Sequence, residues 1–252
     1  MRALPRLMVA PNGARRSKAD HPALPMTLPE IVATARTCLE AGADGLHLHL
    51  RDAQGRHLLD AGAYREALAE LARAVPGMAV QVTTEAAGIY APPRQRQVAL
   101  DAGADLVSVA LREMAEEADE APGFYAACAE RDIAVQHILY DAADFDLLAR
   151  LVPEGLRDAA GVQMIFVLGR YSAGQESDAR DLAPFLERLA ARNTPADWAA
   201  CAFGRAETAC LAAAHAAGGK LRVGFENSLW HEDGRLARDN ADRVRAVMAA
   251  CA

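Results

Sequence analysis

The sequence predicts a single (β/α)8 TIM barrel, and three observations carry that prediction. Short β-branched or aliphatic runs alternate in strict order with Ala-rich segments of helical period. Two helix ends share one stop-and-lead pattern, Glu-Ala-Gly-Ala-Asp at 40–44 and Asp-Ala-Gly-Ala-Asp at 101–105, as repeated strand–helix units would. The 252 residues match the usual length of one such barrel, about 250 residues.

The elements follow in order. Leu7–Ala10 reads as the first strand and 11–25 as a loop. Thr27 then caps a helix, with Pro29 in its first turn, Glu30 closing a capping box and Gly42 ending it. Further strands are expected at Gly45–Leu50, Ala79–Thr83, Leu106–Val109, Ala134–Tyr140, Val162–Leu168, Asp197–Ala202 and Leu221–Phe225. Helices are expected at Ala61–Arg73, Arg94–Asp101, Gly123–Arg131, Phe145–Val152, Ala179–Arg192, Ala206–Ala216 and Asn240–Ala250. Crossovers of this length demand parallel strands, and eight of them close on themselves. An open doubly wound sheet would carry a Gly-rich phosphate loop after its first strand. Pro11-Asn12-Gly13-Ala14-Arg15-Arg16 is not such a loop. No linker or low-complexity stretch divides the chain, so residues 1–252 read as one domain.

Bulk properties exclude several functions. With 52% hydrophobic and 24% charged residues the chain can bury an ordinary core. A net charge of −7 argues against general affinity for nucleic acid or an anionic membrane. No apolar run approaches the roughly 20 residues needed to span a bilayer. Residues 1–10, with Arg2, Pro5 and Arg6, do not read as a signal peptide. The five cysteines (Cys38, Cys128, Cys201, Cys210 and Cys251) include no Cys-x-x-Cys pair, and reduced thiols in a cytoplasmic protein are expected.

Catalytic groups of such barrels sit at the C-terminal strand ends. Leu46-His47-Leu48-His49-Leu50-Arg51-Asp52 gives the strongest signal. Alternation sets the leucines toward the outer helices and both histidines toward the barrel interior. Two neutral imidazoles there need partners, and a divalent ion satisfies both; a hydrogen-bonded core pair is the alternative. The eighth strand offers an anionic third ligand, Glu226, on the face shared by Arg222 and Gly224. His47, His49 and Glu226 with an open position form a catalytic zinc arrangement; a plain loop carboxylate is the other reading of Glu226. Arginines crowd the strand ends at Arg15, Arg51, Arg170, Arg205 and Arg222. Arg205 opens the helix after the seventh strand, where barrels often bind anions. Buried Arg222 needs a carboxylate partner, either Glu226 or an acid group of a substrate. Arg15, Arg16 and Lys18 suit ligand binding or a solvated basic turn equally well.

The segment Ala41–Asp52, together with Phe166-Val167-Leu168-Gly169, Gly204-Arg205, Gly218–Asn227 and Gly234–Ala241, resembles the zinc-dependent β-keto acid cleavage enzymes. The type member of that family cleaves 3-keto-5-aminohexanoate, and the likeness spans nearly the whole chain. It implies a (β/α)8 barrel, zinc on His47, His49 and Glu226, acetyl-CoA as co-substrate, and a β-keto acid as the small-molecule carboxylate partner. It also implies a homo-oligomer, a dimer or a tetramer, and it places the family's strand-eight arginine on Arg222.

Departures from the family pattern are equally specific. The family's Asp after the metal-binding Glu, which deprotonates the substrate, is Asn227, which cannot take a proton. Its Gly-Ala-Glu after the first strand is Gly13-Ala14-Arg15, its strand-three Ser is Thr83, and its Gly-Ser/Thr-x-Asn run is Ala110-Leu111-Arg112-Glu113. An acidic position near the end of the fifth strand aligns with Ile138, beside His137. Glu85 stands where the family has Gly, and it is expected to act as a replacement base, as an extra ligand, or as a mere carboxylate opening the next helix. Arg15, Arg51 and Arg205 are expected to bind substrate, and Thr83, Glu85, Arg222 and Asn227 to serve catalysis. Two other classes stay open: a different metal-dependent barrel hydrolase or lyase acting on an acid, and a metal- or ligand-binding barrel without turnover.

Overall fold

A computed structural model describes residues 3–159 and 161–252; Met1 and Arg2, part of the expected non-signal N-terminus, lie outside the described residues. Eight parallel strands close into a barrel. They are β1 (Leu7–Val9), β2 (Gly45–Leu48), β3 (Ala79–Thr83), β4 (Leu106–Ala110), β5 (Ala134–Leu139), β6 (Val162–Leu168), β7 (Ala196–Ala202) and β8 (Lys220–Val223). Pairing of Leu7 with Leu221, Met8 with Arg222 and Val9 with Val223 joins β1 to β8 and completes the ring. The crossover helices are α1 (Leu28–Glu40), α2 (Ala61–Ala74), α3 (Pro92–Asp101), α4 (Ala121–Glu130), α5 (Asp144–Leu151), α6 (Ala183–Ala190), α7 (Glu207–Ala216) and α8 (Asn240–Ala250). The expected (β/α)8 TIM barrel is therefore the fold.

Period-two alternation builds two concentric cores. On β6, Met164, Phe166 and Leu168 face outward into the layer beneath the helices, where Leu46, Leu48, Phe185 and Trp198 also pack. Ile165 and Val167 face inward with Met8, Leu106, Ala199 and Cys201. Each large apolar side chain buried this way contributes about 1.5–3 kcal/mol. Helix ends follow local chemistry. Glu30 accepts from the backbone N–H of Thr27 at the start of α1, and Asp60 accepts from Ala63 N at the start of α2.

Most elements start or end within a few residues of the expected bounds, and three of the differences shape the end of the barrel that carries the site. β2 stops at Leu48, and Leu50–Arg51 pairs instead with His57–Leu58 in a small antiparallel hairpin. β8 stops at Val223, because Gly224 adopts φ +140 and the chain turns, with Asn227 N and Ser228 N both donating to Gly224 O. A side chain at Gly224 would bring Cβ within 2.5 Å of Ala10 O, so glycine is required for this turn. After β4 a short helix at Leu111–Met114 and a 3₁₀ segment at Ala115–Glu120 precede α4. Sequence periodicity does not resolve such single turns.

Candidate metal centre and active site

His47 lies one residue before the end of β2, and His49 follows where the chain peels away, yet both rings point to one place. Their Nε2 atoms lie 3.0 Å apart. Glu226, delivered by the turn after β8, sets Oε2 at 3.6 Å from His47 Nε2 and 3.3 Å from His49 Nε2. Ligands about 2.0–2.2 Å from a tetrahedral zinc ion stand roughly 3.4 Å from one another, so these separations suit a shared small cation. Among the described residues, these three make up the group of metal-ligating side chains. A hydrogen bond between the imidazoles would occupy their two Nε2 atoms alone. It would leave Glu226 Oε2, which is buried without a hydrogen-bond partner, unserved.

The surroundings divide the carboxylate's two oxygens. Arg222, buried on β8, donates through Nη2 to Glu226 Oε1 at 3.2 Å and to Cys201 Sγ at 3.3 Å, leaving Oε2 to the imidazoles. Burial by itself would raise the pKa of Glu226, but Arg222, His47 and His49 together outweigh it and hold the carboxyl well below the usual range. Burial, reinforced by Arg222, pushes His47 the other way, well below an ordinary imidazole, so its ring is neutral and offers a lone pair.

A chain of amides decides which nitrogen offers it. Met164 O accepts from Gln136 Nε2 at 3.3 Å, and Gln136 Oε1 accepts from Gln81 Nε2 at 2.9 Å. Gln81 Oε1 then faces His47 Nδ1 at 2.8 Å. Because the last acceptor is a carbonyl oxygen, Nδ1 must carry the proton and Nε2 the lone pair. Gln81 sits directly across the sheet from His47. His49 has no such guide. Its Nδ1 is without a partner, and its ring is placed by packing on His57, centroids 5.2 Å apart.

A pocket opens over this centre. Its walls include the loop from Asn12 to Arg16, Thr83, Glu85, Glu113, Tyr140, Arg170 and Arg222. Gly13, at φ +60, lies so close that a Cβ there would stand 2.7 Å from Glu226 Cγ. Glu85 Oε1 is flanked by Arg15 Nε at 3.8 Å and Arg170 Nη2 at 3.9 Å. Thr83 is buried, and its hydroxyl accepts from Glu85 N at 3.1 Å.

Other residues singled out in the sequence go elsewhere. Arg51 lies outside the pocket lining. Its guanidinium instead donates to the carbonyls of Gly55, Asn12, Gly13 and Arg16, strapping the loop after β1 to the hairpin. Arg205 is exposed and stacks on Trp230 at 5.6 Å, away from the pocket. Asn227 is fully buried, does not line the pocket, and has no partner for either side-chain polar atom. Ile138 lines the wall, while His137 faces the outer layer against Tyr125, centroids 5.2 Å apart. The four cysteines of the barrel and helices are buried, Cys251 is partly so, and all are free thiols. Sequence reasoning missed Gln81, Gln136, Tyr140 and the place of Glu113. The signal for the glutamines was present, since each is a polar residue at a strand position that a barrel interior would otherwise fill with aliphatics.

Comparison with known proteins places this arrangement. Residues 6–252 match the family model for β-keto acid cleavage enzyme. The 3-keto-5-aminohexanoate cleavage enzyme of Fusobacterium nucleatum is 26% identical over 94% of this chain and 87% of its own. The 3-oxoadipate:acetyl-CoA acetyltransferase of Cupriavidus necator is 26% identical over 97% and 87%. Among solved structures, ObcA in ternary complex with a C4-CoA adduct and oxalate superposes with a TM-score of 0.67 at 17% identity, which supports the fold. That alignment covers 90% of this chain but 63% of ObcA, so this chain spans less than two thirds of ObcA's length. A family match across virtually the full sequence, on a barrel with these residues at its open end, makes this chain an enzyme of the β-keto acid cleavage family.

Proposed function

We propose that this enzyme exchanges acyl groups between a β-keto acid and acetyl-CoA, with one divalent ion, zinc by donor chemistry, held by His47, His49 and Glu226. The observation that carries this reading is the convergence of two imidazole nitrogens and one carboxylate oxygen within 3.6 Å beneath an arginine-lined pocket. Such an ion polarises a bound ketone oxygen as a Lewis acid. The chain's own groups do the rest. Arg222 holds Glu226 in its ligand pose and adds positive charge where an enolate would form. Thr83 presents a hydroxyl in the same wall. Arg15 and Arg170, on either side of Glu85, favour a substrate with a second anionic group away from the keto acid. The curated relatives that act on 3-keto-5-aminohexanoate and 3-oxoadipate support a β-keto acid, and the ligands of the ObcA complex are in keeping with a CoA thioester and a small dicarboxylate.

Residues 1–252 act in this reading as one barrel unit. No helix among the described residues is long and apolar enough to cross a membrane, and free thiols suit a cytoplasmic site of action, with the homo-oligomer that the family resemblance implies carried as part of the same reading. The test is a panel of β-keto acids, with and without a second carboxylate, incubated with acetyl-CoA and followed by mass spectrometry for acetoacetate and the new acyl-CoA. Metal analysis should give about one ion per chain, lost in His47→Ala and Glu226→Ala. Turnover of an acid without CoA would replace the transfer reading with hydrolysis or a lyase reaction, and metal-free protein with full turnover would remove the ion from it.

A further inference from the structure

Acyl exchange between a β-keto acid and a thioester begins by removing a proton from the carbon between ketone and carboxylate. That carbon then bonds to the acetyl carbonyl as CoA leaves as its thiolate. The thiolate adds to the original ketone carbon, the old carbon–carbon bond breaks to give the new acyl-CoA, and the proton returns to the carbon, leaving acetoacetate. One group must therefore accept a proton and later give it back. Asn227 can do neither, and neither of its polar atoms reaches the pocket lining.

The wall of the pocket offers another group. Glu113 follows the end of β4, is largely buried, and lines the same cavity as His47, His49, Thr83 and Glu226. Its carboxyl is held from behind. Ala86 N donates to both oxygens at 3.2 Å, and Gln95 Nε2, itself fixed on Thr84 O, donates to Oε2. Among the described residues, no cation forms an ion pair with it. The adjacent Arg112 turns away to Asp141 and Asp144, and Arg170 and Arg15 lie against Glu85. The groups facing Glu113 are Gln95 from α3, Glu85 and Ala86 from the loop after β3, Tyr140 from the end of β5 and Glu116 from its own segment. A carboxyl positioned by neutral donors, without a counter-cation and beside a second carboxylate, can hold or release a proton near neutrality.

We propose that Glu113 is the proton acceptor and donor of this pocket, the task that the residue at 227 cannot perform here. This rests on the acyl-exchange reading above. The carboxylate takes the proton from the carbon between ketone and acid, leaving the electron pair on the substrate as its enolate. The resulting carboxylic acid returns the proton when the old carbon–carbon bond cleaves, so the cycle consumes none. Burial pushes the Glu113 carboxyl up to about 7, against the hydrogen bonds from Gln95 and Ala86 and with help from Glu85 and Glu116.

The test uses the enzyme as purified, with whichever β-keto acid it turns over, and follows kcat and kcat/KM between pH 5 and 9. The wild type should show kcat/KM rising with pH through a limb near 7. Glu113→Gln should lower kcat by about 10²–10⁴-fold, change KM little, keep its metal, and lose the limb. Glu113→Asp should restore part of the rate with a limb. Glu85→Gln should move the wild-type limb to lower pH, because a like charge is removed. A Glu113→Gln enzyme that keeps both its rate and its limb overturns the assignment to Glu113 while leaving acyl exchange standing. Absence of turnover by the wild type overturns the acyl-exchange reading, and the assignment falls with it.

Discussion

Replacing Gln81 by Leu should weaken metal binding without unfolding the barrel, and the structure sets the size of the effect. The Gln81 carbonyl is the acceptor for His47 Nδ1 at 2.8 Å inside a fully buried layer. Leucine fills a similar volume but accepts nothing. The His47 Nδ1–H then either stays buried without a partner, at about 1–3 kcal/mol, or the proton moves to Nε2 and the ligand lone pair is lost. The first outcome alone corresponds to about 10–100-fold weaker binding. Gln136→Leu, one link further from the ion, leaves the Gln81–His47 bond in place and should cost less than Gln81→Leu. Competition with a chromophoric zinc chelator at pH 7.5 measures the affinity, and thermal unfolding in excess chelator measures the barrel without metal. Equal zinc affinity in the wild type and a folded Gln81→Leu variant would refute the role assigned to the amide chain. Equal losses in Gln81→Leu and Gln136→Leu would point to a general loosening of the barrel.

Other outcomes follow from the same geometry. Gly13→Ala should displace Glu226, since the new Cβ would start 2.7 Å from Glu226 Cγ and Gly13 sits at φ +60; chelator competition should show at least tenfold weaker metal binding. Because the Glu113 carboxyl is raised from 4.5 to about 7, the folded state binds more protons than the unfolded chain in that interval. Its contribution to stability is present below pH 4.5 and is lost as pH rises through 7. Denaturant titrations at pH 5 and 8 should therefore show Glu113→Gln gaining about 1–3 kcal/mol on the wild type over that rise; a constant difference would contradict a raised carboxyl. Arg243 and Glu207 form a fully buried pair at 2.6 Å, so Arg243→Met alone should cost about 3–5 kcal/mol in urea unfolding, and joint replacement with Glu207→Leu should recover much of it. Arg51→Met should free the loop after β1, read as faster proteolytic cleavage within residues 11–25 and a stability loss of about 2 kcal/mol.

The strand–helix rhythm made the barrel legible because burial imposes it. Every strand buries an outward face, and the apolar periods of Leu46, Leu48, Met164 and Phe166 report that face directly. His47 and His49 were legible for a similar reason, as polar residues interrupting such a period. Glu226 was found as a residue but misplaced as part of β8. Gly224 ends the strand, and the contact that demands glycine there is with Ala10 O, more than 200 positions away in the sequence. Arginines were legible as charges and not as contacts. Nothing local distinguishes Arg15, which faces the pocket, from Arg51, whose four acceptors belong to two loops that meet only in the folded chain. Glu113 was recorded as a break in a family pattern. Its significance depends on Ala86 and Gln95 arriving from other segments, which no local period encodes.

The strapping arginines have a consequence for how an acid reaches the site. Arg16 gives its guanidinium to the carbonyls of Phe225 and Asn227, as Arg51 does to the loop after β1. Arg16, in the pocket lining, thus faces main-chain dipoles, as Arg51 does outside it, and Arg15 and Arg170 share Glu85. Those carbonyls fix the guanidinium groups without cancelling their charge, so the pocket lining, with Arg15, Arg16, Arg170 and Arg222 against Glu85, Glu113 and Glu226, stays locally positive although the molecule as a whole is negative. The immobilised cations therefore act as a fixed local field, and capture of an acid should slow as ionic strength rises, read as kcat/KM falling with added salt.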